Sequence, residues 1–451
     1  MKKIHFIGIG GISMSALAEI VLSKGIAVSG SDRQETSITR HLAGEGAYII
    51  YEQRAENITD DIDLAVYTAA ISSDNEELLA ARNKNIPTMV RADFLGLLMK
   101  EYKRAICISG THGKTTTTSM LAHILMEGDK NPTILVGGIL DSIGGNLRVG
   151  GEETFITEAC EYTNSFLSFF PTTAVILNVC ADHLDFFKDI NEIRQSFKRF
   201  AALVPKDGVV VINGDIPDVE YFTKELQCKV ITFGRDKEKN NISAEAIEID
   251  GRACCSYDLI ADGENKGRIT LNVTGVHNVY NSLAAAAAAM SMGISPEVIG
   301  AGLAGYKGTE RRFENKGEFN GVTVIDDYAH HPDEIKATIE TAKNYPHKDL
   351  WVVFQPHTYS RTKALLSEFG EALSMADYVI LTDIYAAREK DDLGISAENV
   401  LDEIKKWGGK GSYISSFSDI EKFLQKKCKP GDLLITMGAG NVVEIGDFLV
   451  K

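Results

Sequence analysis

Residues 105–118 read Ala-Ile-Cys-Ile-Ser-Gly-Thr-His-Gly-Lys-Thr-Thr-Thr-Thr, and this stretch decides the fold. The run 105–109 is short, apolar and of strand length, and a helical segment ending near Glu127 follows directly on the threonines. Between them, Gly110-Thr111-His112-Gly113-Lys114-Thr115 puts two glycines and a lysine where a strand turns into a helix. Small residues there let backbone N–H groups converge on phosphate oxygens, and the helix N-terminus adds a favourable dipole. Lys114 would neutralise the outer phosphates, and the Thr115 hydroxyl would meet a Mg2+ ion. Where the common phosphate loop begins with glycine this chain has Ile108, so the loop is shortened to Gly-x-x-Gly-Lys-Thr.

Two neighbouring runs end in polar chemistry. The run 154–157 leads into Glu158, with Glu161 three residues on, and the run 174–179 leads into Cys180, Asp182 and His183. In a parallel sheet ligands collect at the carboxyl edge of the strands, the edge that also carries the phosphate loop. Glu158 and His183 would thus face the outer phosphate, and a carboxylate with an imidazole suits a second divalent ion.

Upstream, apolar runs at 4–7, 27–30, 48–50, 64–67 and 88–90 alternate with helical segments such as 14–23, the pattern of a parallel sheet with helices on its faces. The turn Gly8-Ile9-Gly10-Gly11-Ile12-Ser13 has the look of a dinucleotide-binding loop, with Ser13 at the third glycine's place and Asp32 where a ribose-binding acid would fall. It reads either as a plain connecting turn or as a nucleotide site, a nicotinamide cofactor being one option. Downstream of Arg311-Arg312-Phe313, runs at 322–325, 350–354, 378–382 and 433–436 form a further open α/β sheet. The 451 residues therefore divide into three α/β domains: a Rossmann-like unit over 1–101, a central P-loop ATPase-type unit over 102–309, and a Rossmann-like unit over 310–451. Residues 305–312 are the natural hinge.

Composition excludes other classes. Hydrophobic residues at 44% and charged residues at 24% rule out a disordered chain, a collagen-like repeat and a membrane bundle. The alanine-rich run 283–290 is too short to span a bilayer. A net charge of −16, with no basic stripe, argues against a nucleic-acid partner. Seven cysteines without metal-knuckle spacing read as reduced thiols of a cytoplasmic protein.

Taken together, Gly110-Thr-His-Gly-Lys-Thr-Thr, Glu158, Asn178 with Asp182-His183, His277-Asn278 with Asn281, Arg311-Arg312-Phe313, and Asp326-Asp327-Tyr328-Ala-His-His331 resemble the Mur ligases, the ATP-dependent amide-bond ligases of peptidoglycan precursor synthesis. The opening Gly8–Ser15 segment and Phe354-Gln-Pro-His-Thr-Tyr-Ser-Arg361 point to the branch that handles L-alanine. The resemblance implies small-molecule partners UDP-N-acetylmuramate, ATP and L-alanine, Mg2+ in two ions, and a monomer or homodimer. It assigns Gly8, Gly10, Gly11, Ile12, Ser13, Met14 and Asp32 to the UDP-sugar. Gly110, Thr111, His112, Gly113, Lys114, Thr115, Thr116, Asn281, Arg312 and Asp327 go to ATP, and Thr115, Glu158 and His183 to metal. Tyr328, His357 and Arg361 would hold the amino acid, and Lys114, Glu158, His183 and His330 would serve catalysis. The sequence departs from the pattern at Cys160 (Asp expected), Cys180 (Glu expected) and Thr358, where some relatives carry Arg. A ligase that joins a whole murein tripeptide to the same sugar nucleotide shares most of these motifs. A nicotinamide oxidoreductase leaves Lys114, Glu158 and His183 without a role.

Overall fold

The computed structural model describes every residue except 69, 388 and 392. Among the described residues the chain builds three sheets in sequence order, the α/β architecture expected. In the first, Lys3–Ile7 lies at the centre, flanked on one side by Ala27–Ser31 and Tyr48–Ile50 and on the other by Leu64–Tyr67 and Thr88–Val90, all parallel. The strand order reverses at Lys3–Ile7, so a crevice opens where that strand delivers the glycine turn.

The second sheet carries Arg104–Ser109 between parallel neighbours Thr154–Ala159 and Thr173–Ile176. The last strand stops before residue 179, the end expected from its apolar run. Asn178 leaves the ladder because its side chain is taken by the phosphate loop. Its Oδ1 accepts from the His112 N–H at 2.8 Å, and its Nδ2 donates to the His112 carbonyl at 3.1 Å. The same sheet extends through an antiparallel meander, Ile242–Ile249, Cys254–Ala261 and Glu264–Thr274, which apolar runs alone did not reveal. Ile242–Ile249 and Glu264–Thr274 are buried only in part, so their apolar signal is diluted by exposed polar residues.

The helix Lys114–Glu127 is nearly all buried, packed by His277–Ser291 and Pro296–Gly305. Ala284 to Ala289 are fully buried, and their small side chains let two helices and the sheet close together. Gly302 marks the tightest approach: a Cβ there would lie 2.5 Å from the Ile124 Cα.

The third sheet runs Glu314–Phe319, Val322–Asp327, Leu433–Met437, Leu350–Phe354, Tyr378–Leu381 and Gly411–Tyr413, parallel but for its first strand. Between the second and third sheets, Gly308, Arg311 and Phe313 all take positive φ (113°, 60° and 52°), the sharp local turns a hinge requires. The Arg311 guanidinium donates from Nε to the buried Asp326 at 3.0 Å, pinning the far side of that hinge. The first and second units touch where Ser168 Oγ donates to Asp93 and where Lys100 Nζ sits 3.7 Å from the Phe170 ring centre. No helix among the described residues is long and apolar enough to cross a membrane.

Candidate active site

The phosphate loop is built by two glycines that only glycine satisfies. Gly110 has φ +146° and Gly113 φ +83°, and a Cβ on Gly113 would lie 2.5 Å from Asn281 Oδ1. Behind the loop, Thr111 Oγ1 accepts the Cys180 N–H at 2.9 Å. The Lys114 ammonium folds back over the cradle, donating to the carbonyls of Gly110 and Thr111 and to Glu161 Oε2 at 3.2 Å. Burial alone would lower the Lys114 pKa, but the Glu161 carboxylate outweighs it and holds the lysine charged, above its ordinary range. Glu161, a residue not among the sequence candidates, is thus the counter-ion of the phosphate lysine.

Of the metal candidates, Thr115 is buried on the first helical turn. Glu158 Oε1 accepts the Gly137 N–H, and a Cβ on Gly137 would come within 2.8 Å of Oε2, so this carboxylate occupies a pocket that a larger residue would fill. His183, with φ +53°, lies under the Tyr162 ring at 4.6 Å. Its Nε2 is 3.7 Å from Asp182 and 4.0 Å from Glu161 Oε1. Burial pushes its pKa down, keeping the imidazole neutral, the form that ligates metal. Glu161 Oε1 is itself buried without a hydrogen-bond partner. His183 Nε2 and that unsatisfied Glu161 oxygen lie 4.0 Å apart, whereas among the described residues Glu158 and His183 do not fall in one cluster of three or more metal-type donor atoms within 4.8 Å.

A cavity of about 550 Å³ opens beside the loop, lined by six of the expected ATP residues: His112, Gly113, Thr116, Asn281, Arg312 and Asp327. Tyr280, Phe233 and Arg235, none of them anticipated, close another wall, with Arg235 5.3 Å over the Tyr280 ring. A flat apolar-and-cationic wall of this kind suits a purine. Asn281 Nδ2 donates to Asn278 Oδ1 at 2.9 Å, fixing the orientation of its amide. Asp327 accepts N–H bonds from Phe313 and Ala329 at 2.9 and 2.7 Å. Burial nevertheless pushes its pKa up to about 6.

A second cavity of about 310 Å³ is lined by Tyr162, Asp182, His183, His357, Ser360 and Arg361. Arg361 Nε donates to Asp182 Oδ1 at 3.2 Å, and its Nη1 lies 3.3 Å from His357 Nδ1. Burial would raise the Asp182 pKa, but Arg361 and His183 overcome it and hold the carboxyl well below the usual range. Tyr328 and His330 stand at the seam between the two cavities. The His330 ring is 5.4 Å from Tyr328 and 5.9 Å from His357, and its Nδ1 is 3.0 Å from the Tyr328 carbonyl and 3.3 Å from Glu334. Glu334 was not anticipated either. It gathers His112, His330 and Arg312 across the second and third units.

In the first unit, the N–H groups of Gly8 and Ile9 both donate to the Ser31 carbonyl at 2.9 Å. The Gly10 N–H donates to Asp32 Oδ2 at 2.8 Å. A Cβ on Gly10 would lie 2.8 Å from that oxygen, so Asp32 shapes the turn. Met14 is buried in the core, whereas Ile12 is 56% exposed at the crevice and its carbonyl accepts from Asn146 of the second unit. Lys198 pairs with Glu225 at 2.9 Å on the surface.

Burial holds His277 and His330 neutral, each with a pKa pushed down to about 4 from an ordinary 6.5. The unfolded chain binds more protons at these two histidines between those values, so their contribution to stability falls as pH drops from about 6.5 to about 4. Melting temperatures across that window are expected to decline. His277→Gln is expected to flatten the decline without abolishing it, since His330 still titrates.

Domain profiles match the whole order of these units. "Mur ligase family, catalytic domain" covers residues 3–103, "Mur ligase middle domain" 108–289, and "Mur ligase, glutamate ligase domain" 311–440. The chain is 59% identical over 448 residues to a UDP-N-acetylmuramate–L-alanine ligase of Lachnospira eligens, covering 99% of this chain and 98% of that one. It is 53% identical to the protein of the same name from Lachnoclostridium phytofermentans, with 99% and 97% covered. Among solved structures, UDP-N-acetylmuramate-alanine ligase of Thermotoga maritima superposes with a TM-score of 0.81 at 31% identity, over 99% of this chain and 98% of that one. A murein peptide ligase of Psychrobacter arcticus shares the fold at TM-score 0.73 and 24% identity, over 100% and 98%. By sequence along its full length and by the three sheets that carry the site, this chain belongs to the Mur ligase family.

Proposed function

We propose that this chain joins L-alanine to the lactyl carboxylate of UDP-N-acetylmuramate at the expense of ATP, in peptidoglycan precursor synthesis. The name shared by relatives at 50–59% identity over nearly the whole chain supports that reading. The structural observation that carries it is a continuous line of polar groups from the phosphate cradle to the small cavity: Lys114 to Glu161 at 3.2 Å, Glu161 to His183 at 4.0 Å, and His183 on the cavity wall beside Arg361. A phosphorylated carboxylate formed at Lys114 then lies next to the place where an amino acid would be held.

The first unit, over 1–101, binds the UDP moiety at the turn of Gly8, Gly10, Gly11, Ile12, Ser13 and Met14, with Asp32 beneath. The unit over 102–309 binds ATP, and the unit over 310–451 brings the amino acid. The sugar's carboxylate oxygen attacks the γ-phosphorus, the bond to ADP breaks, and an acyl phosphate results. The alanine nitrogen then attacks the acyl carbon, phosphate leaves, and the amine proton must be taken up. His330 suits orienting the attacking amine, and the departing phosphate, the stronger base, takes the proton. The His330 Nδ1 faces the Tyr328 carbonyl and Glu334, so Nδ1 carries the proton and Nε2 the lone pair. Arg361 clamps the alanine carboxylate, and Lys114 holds the outer phosphates. Mg2+, in two ions at Thr115, Glu158 and His183, would supply charge screening between phosphates and carboxylate. Bringing three substrates together on three units is the main catalytic lever, and closure about 305–312 excludes water from the acyl phosphate. Seven free cysteines accord with a reducing, cytoplasmic setting.

Phosphate release from Mg2+-ATP, with UDP-N-acetylmuramate and L-alanine, glycine, L-serine or a murein tripeptide, tests the reading. Release is expected only when the sugar nucleotide and L-alanine are both present. Release with the tripeptide alone would move the chain to the peptide-recycling reaction, and none at all would overturn ligase activity.

A further inference from the structure

Beneath the glycine turn of the first unit lies an acidic side chain that the reaction does not use. Glu77, on the helix Glu76–Asn83, has no exposed surface. Its Oε2 accepts the Ser31 hydroxyl at 2.5 Å, and its Oε1 accepts the Asn57 side-chain N–H at 2.7 Å. The His5 ring is equally buried, with Nδ1 2.9 Å from the Ser29 hydroxyl and Nε2 3.4 Å from Glu77 Oε1. A second route joins the same residues. Asn75 Oδ1 caps the helix by accepting the N–H groups of Glu77 and Leu78 at 3.1 Å. Asn75 Nδ2 donates to Gln53 Oε1 at 3.0 Å, and Gln53 Nε2 reaches back to the Ser31 hydroxyl at 3.4 Å. Burying an acidic group is costly unless donors hold it. The donors here tie the strands Lys3–Ile7 and Ala27–Ser31, the segment 53–57 and the helix to one point.

That point is Ser31. Its hydroxyl goes to Glu77, while its carbonyl accepts the N–H groups of both Gly8 and Ile9 at 2.9 Å, a convergence that Gly8 permits by taking φ +82°. The Gly10 N–H goes to Asp32, and the Gly11 N–H to the Gly8 carbonyl at 3.3 Å. The turn therefore uses its own N–H groups on itself. A diphosphate is left with those of Ile12, Ser13 and Met14, which have no carbonyl four residues back within the helix Ile12–Ser23. Where that helix starts is set by the grip of the Ser31 carbonyl on Gly8 and Ile9. We propose that Glu77 is a positioning residue for the sugar nucleotide: through the Ser31 hydroxyl it fixes the carbonyl that aligns the turn, and with the turn the N–H groups that receive the diphosphate. The proposal rests on the reading that the first unit binds UDP-N-acetylmuramate.

Calorimetric titration of the full chain with UDP-N-acetylmuramate, together with steady-state kinetics, tests this. Glu77→Gln turns one acceptor oxygen into an N–H donor, so the side chain can no longer accept from both Ser31 and Asn57. Ser31→Ala removes the hydroxyl alone. Each is expected to weaken UDP-N-acetylmuramate binding about tenfold and to raise its KM in step, with kcat and the KM for ATP within about twofold of the parent. The double variant is expected to bind no more weakly than Ser31→Ala, because Glu77 acts through that hydroxyl. Melting temperatures report that each variant is folded, and Ser31→Ala carries the test by itself should Glu77→Gln not fold. Losses that simply add in the double variant, or an affinity unchanged in Ser31→Ala, would overturn the positioning role. A parent chain that does not bind UDP-N-acetylmuramate at all would instead overturn the reading of the first unit, and the proposal with it.

Discussion

Lys114→Ala is expected to lower turnover by at least about 10³-fold, because the removed ammonium is the fixed positive charge on the phosphates that gain charge as the bond to ADP breaks. The substitution also has a structural cost. Glu161 is 3% exposed and loses the ammonium that pairs with it, which leaves the neutral His183 imidazole at 4.0 Å. Removing one member of a buried pair costs about 3–5 kcal/mol, since the other charge is left desolvated and uncompensated. A lower melting temperature is therefore expected alongside the loss of activity. The double substitution Lys114→Ala/Glu161→Gln separates the two effects. It neutralises the stranded carboxylate and should recover most of the melting temperature and none of the turnover. Thermal melting and phosphate release on the same preparations read both quantities. A double variant that regained activity would remove Lys114 from phosphate chemistry.

Arg361→Ala should raise the KM for L-alanine by about 10²-fold, the scale of a lost charge-assisted clamp on a carboxylate. The KM values for ATP and the sugar nucleotide should move far less, because Arg361 lines the 310 Å³ cavity and is not among the residues around the nucleotide. Arg361 has a second task. Its Nε holds Asp182, whose carboxyl stays ionised at unusually low pH chiefly because that guanidinium is beside it. With the arginine gone, the Asp182 carboxyl rises towards the ordinary range. Activity of Arg361→Ala should therefore fall away sooner than the parent's as pH is lowered. Arg361→Lys keeps a charge but not the planar fork, and an intermediate alanine KM is expected. Alanine saturation unchanged in Arg361→Ala would show that the cavity assignment is wrong.

How much was legible follows from where the signals are local. The phosphate loop could be read because its strand, glycines, lysine and helix are consecutive, and six of the ATP candidates do line one cavity. The antiparallel meander was missed because two of its strands, Ile242–Ile249 and Glu264–Thr274, are largely exposed and carry little apolar contrast. Glu161, Asp182 and Glu334 were not singled out as site residues because an isolated carboxylate in a sequence has no partner. Their roles come from Lys114, Arg361 and His112, which lie 47, 179 and 222 positions away in the chain. Tyr280 and Arg235 likewise form a wall only when two distant segments meet.

The sequence by itself determined the α/β class, the three successive units, the phosphate loop and the family, because each rests on periodicity or motif within a few tens of residues. Tertiary structure alone decided which charges pair. Lys114 is committed to Glu161 and Arg361 to Asp182, and His112 and His330 share Glu334. The reason is physical. A buried charge or lone pair must be satisfied by whatever the packing of separate sheets brings within a few ångströms, and that proximity is not encoded at any single place in the chain.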